Sequence, residues 1–62
     1  MNYDLPKDPV ILLGTINMKL RDFYDDLNAL CDDLDIDYDM ISKVLGDAGY
    51  FYDEVTNQFH KK

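Results

Sequence analysis

The sequence predicts a small α+β domain in which three short helices precede a C-terminal β-hairpin. Apolar residues recur at helical spacing in three segments before Gly49, and two alternating, aromatic-rich runs follow it. With 62 residues the chain is too short for two hydrophobic cores, so we expect residues 1–62 to form a single domain. A hydrophobic fraction of 47% argues against intrinsic disorder despite a net charge of −7.

The first helix is predicted to begin at Asp8-Pro9 and to continue to about Tyr24. An aspartate side chain can cap the exposed amides, and proline is favoured at the first helical position. Gly14 lowers helix propensity, which suggests a close crossing with another helix. The predicted inward face contains Val10, Leu13, Ile16 or Asn17, Leu20, and Phe23 or Tyr24.

The second helix is short and is predicted to begin after Asp25-Asp26, which supplies its cap. It ends near Leu34, and a tight connection, Asp35-Ile36-Asp37, follows with its isoleucine directed inward. The apolar residues recur at spacings of three and four, which defines one helical face: Leu27, Leu30, Cys31 and Leu34.

The third helix is predicted to be capped by Asp37 and stopped by Gly49, a residue that accepts a left-handed C-terminal conformation. Its expected inward residues are Met40, Ile41, Val44, Leu45 and Ala48.

The two aromatic-rich runs, Tyr50-Phe51-Tyr52 and Gln58-Phe59-His60, predict a β-hairpin whose loop contains Asn57, a residue tolerant of positive φ. An isolated hairpin is marginal in water, so Tyr50, Tyr52 and Phe59 are expected to pack on the helices. Two short helices joined by a three-residue turn and followed by a hairpin match the order of parts in a winged helix-turn-helix unit.

Several short segments together resemble a family of short bacterial proteins catalogued as domain of unknown function 4250. They span almost the whole chain: Leu5-Pro6-Lys7-Asp8-Pro9, Asn17, Lys19-Leu20-Arg21-Asp22, Tyr24, Leu30-Cys31-Asp32-Asp33-Leu34, Gly49-Tyr50, Tyr52-Asp53 and Asn57-Gln58-Phe59. The chain departs from the family pattern at Tyr38-Asp39-Met40, which replaces a more charged, glutamate-rich helix start. The resemblance implies a bacterial single-domain protein and brings no activity, ligand or catalytic residue.

Charge is distributed unevenly along the chain. From Asp22 to Asp39 there are eight aspartates and no lysine or arginine, which predicts a solvated acidic face and basic partners. Alternating aspartates, Asp33 to Asp39, suggest a calcium loop or divalent-metal sensor as an alternative. Counted from Asp33, however, the sixth position is Tyr38 instead of glycine and the twelfth is Val44 instead of glutamate, so no metal or other cofactor is predicted.

The chain has more aromatic surface than so small a core can hide, and tyrosine and phenylalanine are enriched where proteins meet. Together with the acidic stretch, this favours a non-catalytic protein-interaction or regulatory module whose partner is another protein or a second copy of the chain. A tight hairpin packed on the first helix is the competing explanation. The candidate partner surface is Asp32, Asp33, Asp35, Asp39, Tyr38, Phe51 and Tyr52.

The alternative function is a nucleic-acid-binding regulator of winged helix-turn-helix type, with Lys19, Arg21 and Lys43 as candidate contacts. Electrostatics oppose it, because affinity for nucleic acid depends on cations that neutralise phosphates. The predicted third helix carries Asp37, Asp39 and Asp47 against Lys43 alone.

An enzyme is not expected. Cys31 and His60 are the only obvious nucleophile and base, Cys31 lies on a predicted apolar face, and the common phosphate-binding and hydrolase motifs are missing. A single cysteine allows no internal disulfide and fits a reducing compartment. The longest aliphatic run, Val10 to Leu13, is too short to cross a bilayer, so we expect a cytoplasmic protein without membrane association.

Overall fold

The predicted order of three helices and a hairpin is present in the computed structural model, which describes residues 8–62. The elements are α1 (Pro9–Asp22), α2 (Leu27–Leu34), α3 (Tyr38–Asp47), β1 (Tyr50–Asp53) and β2 (Gln58–Lys61). The first helix therefore ends two residues before the predicted Tyr24. The family-like residues 5–7 lie outside the described part of the chain.

Aspartate caps set the beginning of each helix, as predicted. The carboxylates of Asp8, Asp26 and Asp37 accept the amide hydrogens of Val10, Ala29 and Asp39 at 2.9, 2.7 and 2.9 Å. Each bond satisfies an amide that has no partner within its own helix.

The connections also follow the prediction. Gly49, at φ 97°, takes the left-handed conformation that stops the third helix. Ile36, in the turn between α2 and α3, is buried.

Ten residues form the core, and the two apolar faces of α2 and α3 supply half of them: Leu12, Ile16, Leu20, Leu27, Leu30, Cys31, Ile36, Ile41, Leu45 and Phe59. Three predicted core positions are wrong, because Val10, Met40 and Ala48 are exposed. Of the alternatives Phe23 and Tyr24, Tyr24 packs against the core and Phe23 is exposed. In α1 the inward face is rotated relative to the predicted one, so that Leu12 is buried instead of Val10.

The hairpin packs on the helices through one face. Its strands pair antiparallel with Tyr52 opposite Phe59, and these two rings lie 5.5 Å apart. Phe59 is buried, and Tyr50 and Tyr52 are half-buried against the core, as predicted. Asn57 adopts φ 56° at the end of the loop, which confirms its predicted role.

A polar network attaches the hairpin to α1. The Asn17 side chain donates to the Phe59 carbonyl at 3.1 Å and accepts the Phe59 amide hydrogen at 2.7 Å. Gln58 donates from Nε2 to the backbone carbonyl of Asn17 at 2.9 Å. The hairpin is therefore held to the first helix by hydrogen bonds as well as by the burial of Phe59.

The same network closes the turn between α1 and α2. Asn57 donates to the carbonyls of Leu20 and Tyr24 at 3.0 and 2.9 Å, which satisfies one acceptor in the last turn of α1 and one in the turn that follows it. The Tyr52 hydroxyl donates to Asn57 Oδ1 at 2.7 Å and accepts the Leu27 amide hydrogen, at the start of α2, at 3.2 Å. One tyrosine–asparagine pair thus fixes two helix ends.

The predicted helix crossing at Gly14 is wrong within this chain. A β-carbon built there would have no neighbouring atom within 4 Å in the described part of the chain, and the residue is exposed. Across residues 8–62, no helix is both long enough and apolar enough to cross a membrane.

Candidate protein-interaction surface

All eight aspartates of the acidic stretch are exposed, as a solvated face requires. They are Asp22, Asp25, Asp26, Asp32, Asp33, Asp35, Asp37 and Asp39. Apart from Asp22, they lie on α2, at the start of α3 and in the turns beside these helices. We call the candidate residues Asp32, Asp33, Asp35 and Asp39 the acidic surface.

Some of these carboxylates also form hydrogen bonds that stabilise the fold. Asp26 and Asp37 cap helices, and Asp33 accepts a hydrogen bond from the Tyr24 hydroxyl at 2.6 Å. Asp35 lies in the left-handed conformation that ends α2, at φ 55°. Its backbone makes that turn, and its carboxylate is exposed.

The three candidate nucleic-acid contacts lie on two different helices. Lys19 and Arg21 lie on α1, whereas Lys43 lies on α3. Arg21 pairs with Asp22 at 2.9 Å, and Lys43 pairs with Asp47 at 3.3 Å. The hydrogen bond between Arg21 and Asp22 lowers the pKa of the Asp22 carboxyl and raises that of the guanidinium. Each pair places a negative charge beside the cation that would contact a phosphate.

The aromatic candidates lie in different environments. Phe51 is 42% exposed, on the outer side of the hairpin, and its ring centroid lies 6.1 Å from that of His60. Tyr38 is 39% exposed at the first position of α3. Tyr52 faces the other side of β1 from Phe51, because successive strand side chains alternate. It is half-buried with its hydroxyl engaged, and thus supports the fold more than it extends the outer surface.

Tyr38 and Tyr52 meet at a groove of about 270 Å³ between the start of α2, the start of α3 and the hairpin loop. Its lining residues are Asp26, Leu27, Asn28, Tyr38, Tyr52 and Glu54. Burial raises the pKa of the Tyr52 hydroxyl, the amide hydrogen of Leu27 lowers it, and the nearby negative charges of Asp26 and Glu54 raise it further. Two carboxylates and two aromatic rings form an environment that attracts a cationic side chain.

A second, shallower depression of about 550 Å³ lies on the outer side of α2. Asp32 and Asp35 line it together with Cys31, whose sulfur is largely covered. Burial, and then the negative charge of Asp37, raise the pKa of the Cys31 thiol. Because the thiolate is the nucleophilic form, this thiol is poorly suited to nucleophilic chemistry at neutral pH.

The alternating aspartates do not converge. Within the described residues there is no group of three or more histidine, cysteine, aspartate or glutamate side chains that could hold a metal ion.

Sequence reasoning did not identify Asp26 and Glu54 as part of a groove, nor Asn17, Asn57 and Gln58 as a network. The sequence indicates only a capping role for Asp26, and Glu54 lies in the hairpin loop, so no local signal connects the two residues. The polar residues at Asn17 and Asn57-Gln58, each beside a buried apolar position, were a usable signal for buried hydrogen bonds.

A family model described as Domain of unknown function (DUF4250) matches residues 6–59. The chain belongs to that family. No curated protein matches the sequence, and no solved structure matches the fold. Residues described above account for much of the family-like pattern in structural terms, since Asn17, Tyr52 and Asn57-Gln58-Phe59 join the hairpin to α1 and α2.

Proposed function

We propose that this member of the domain-of-unknown-function 4250 family is a non-catalytic protein-interaction module that binds a basic segment of a protein partner. The contact surface consists of the acidic surface together with Tyr38 and the groove beside it. The module acts in the reducing cytoplasm of a bacterium, a setting supported by the single, buried, unpaired Cys31.

The observation that carries the proposal is the exposure of eight aspartates in a stretch that contains no lysine or arginine. Such a surface repels polyanions and attracts cationic segments, and it steers their encounter more than it stabilises the final complex. Exposed aromatic side chains supply the contact area that charge alone does not provide.

The groove beside Tyr38 is the best place for a specific contact. Its volume of about 270 Å³ is smaller than the 300–1,000 Å³ typical of ligand pockets, and it is open to solvent between two helix starts. It therefore suits one side chain of a protein better than a cofactor. Asp26 and Glu54 provide the charge that selects lysine or arginine for that position.

The test is affinity capture from a bacterial lysate with a matched pair of variants. Asp32→Asn with Asp35→Asn removes two charges from the acidic surface. Asp47→Asn with Asp53→Asn removes two charges elsewhere, and both variants change the net charge from −7 to −5. Asparagine is well tolerated at the left-handed position of Asp35, so the fold is retained.

We expect a protein with a basic segment to be retained by the wild type and by the Asp47/Asp53 variant, and to be lost with the Asp32/Asp35 variant. Equal retention by all three proteins would contradict the assigned surface. Recovery of nucleic acid without a protein partner would contradict the function.

A further inference from the structure

Helix α1 has a second apolar face, opposite the one that forms the core. Its inward face contains Leu12, Ile16 and Leu20, all buried. Val10, Ile11 and Met18 remain 65, 59 and 43% exposed, and their positions place them on the opposite side of the helix. A helix at the surface of a soluble domain normally carries polar residues there.

Gly14 lies in the middle of this second face. Among residues 8–62, no atom lies within 4 Å of the position its β-carbon would occupy. Glycine in an exposed helix is less favourable than alanine, and no contact with the described residues requires it. A missing side chain does permit the backbone of another helix to approach closely.

The charge distribution favours α1 of a second copy as that neighbouring helix. Lys19 and Arg21 outnumber Asp22 within α1, so the helix carries a net charge of 2 − 1 = +1 in a chain of −7. The acidic surface lies on α2, α3 and the turn between them. Two copies that meet through α1 therefore keep their acidic surfaces apart, whereas contact through the other helices brings like charges together.

We propose that α1 is a self-association surface, on which α1 of a second copy packs antiparallel about a two-fold axis close to Gly14. In this register Ile11 of each copy faces Met18 of the other. A two-fold interface is self-complementary, so one apolar stripe with a gap at its centre serves both partners.

The ends of the paired helices are also complementary. The antiparallel arrangement brings the last turn of one α1, with Arg21, beside the start of the other, which Asp8 caps. Arg21 uses Nε and Nη2 to bind Asp22, and a guanidinium has five N–H groups, so donors remain for a second carboxylate. Antiparallel helix dipoles add to the attraction.

The size of the helix sets the strength of the contact. At 14 residues, α1 is about 21 Å long, so the shared surface falls at the low end of the known interface classes. We therefore expect a concentration-dependent dimer with a dissociation constant between roughly 10 μM and 1 mM. This inference does not depend on the proposed function, since it concerns the purified chain alone.

Sedimentation velocity of the purified protein, from about 10 μM to 1 mM, tests the proposal with three variants. Met18→Glu places a charge in the stripe. Gly14→Leu fills the central gap, and it leaves the monomer fold intact because the position is open and leucine favours helix. Val55→Glu is the control, because Val55 is exposed in the hairpin loop.

The wild type and Val55→Glu are expected to dimerise equally, whereas Met18→Glu and Gly14→Leu raise the dissociation constant at least about tenfold. Gly14→Leu does so without lowering the thermal midpoint measured at low concentration. A wild type that stays monomeric throughout, or a dimer that Gly14→Leu leaves unchanged, overturns the proposal. Loss of the dimer in Val55→Glu overturns it as well, because the contact then lies elsewhere.

Discussion

The side chain of Asn17 binds both backbone groups of Phe59, accepting its amide hydrogen at 2.7 Å and donating to its carbonyl at 3.1 Å. An asparagine amide is suited to this, since it carries a donor and an acceptor side by side. The bonds occupy the edge of β2 that faces away from β1, and they connect residues 42 positions apart. The Asn17 side chain therefore makes the hydrogen bonds to β2 that the backbone of a third strand would make.

We expect Asn17→Ala to lower the free energy of unfolding by about 1–3 kcal/mol, because it leaves two half-buried backbone groups of Phe59 without partners. Asn17→Asp should not restore stability, since a carboxylate cannot donate to the Phe59 carbonyl. Urea unfolding followed by circular dichroism measures both. Asn28→Ala, at an exposed position of α2, is the control and should change stability by less than about 0.5 kcal/mol. A loss in Asn17→Ala no larger than in the control would mean that the two bonds contribute nothing.

Substitution by alanine should change stability in opposite directions at Gly46, inside the third helix, and at Gly49, which stops that helix. Gly46 lies inside α3 with open space at its β-carbon, so Gly46→Ala is expected to stabilise the protein by about 0.5–1 kcal/mol. Gly49 has φ 97°, where a β-carbon is strained, so Gly49→Ala is expected to destabilise it by about 1–2 kcal/mol. Thermal melts of the pair provide the comparison. Equal shifts of the same sign would show that backbone conformation does not distinguish the two positions.

Alkaline pH should destabilise the fold through Cys31. Burial raises the pKa of this thiol in the folded state, so the folded chain holds the proton more tightly than the unfolded one. The stabilisation is fully present below the unfolded pKa of about 8.5 and is lost as pH rises through the higher folded pKa. Tyr52 acts in the same direction at higher pH, because burial also raises its pKa.

Urea unfolding at pH values from about 7 to 10 should therefore show a steeper fall in stability for the wild type than for Cys31→Ala. Repulsion among the many carboxylates affects both proteins alike and cancels in the comparison. Parallel curves for the two proteins would exclude a role for the thiol.

Duplex DNA is expected not to bind, even at low salt, where phosphate contacts are strongest. Arg21 and Lys43 each lie beside a carboxylate, and the chain carries a net charge of −7. A fluorescence titration with labelled duplex of mixed sequence decides the question. Saturable binding that weakens steeply as salt is added would support the winged-helix alternative.

The elements were predictable because their signals are local. Aspartate caps, Gly49 and Asn57 each act on neighbouring residues, and the apolar faces of α2 and α3 are clear. The buried face of α1 was harder to predict. Apolar residues occur on almost all sides of this helix, so periodicity alone does not show which side is buried. The packing of the hairpin determines which face of α1 is buried. That packing depends on the contact between Asn17 and Phe59, which lies near the other end of the chain.

The candidate surface was predictable in part for the same reason. Aspartates without basic neighbours are expected to be exposed whatever the tertiary fold, and all four members of the acidic surface are exposed. The groove was not predictable, because Tyr38 and Tyr52 belong to different elements and meet only when β1 packs against α3. Of the second apolar face of α1, only Val10 is predicted to lie in the core, and the sequence does not indicate that Val10 lies on the same exposed side as Ile11 and Met18.

The hydrogen bonds between Asn17 and Phe59 also determine when the chain can complete its folding during synthesis. A ribosome adds about 5–20 residues per second, and α1 is synthesised before the strand that contains Phe59. Until then α1 has neither its hydrogen-bond partner nor the aromatic ring that covers its inner face. Nascent chains must consequently remain incompletely folded until the last strand is synthesised, and a stop codon shortly before Phe59 would yield a product that proteases remove.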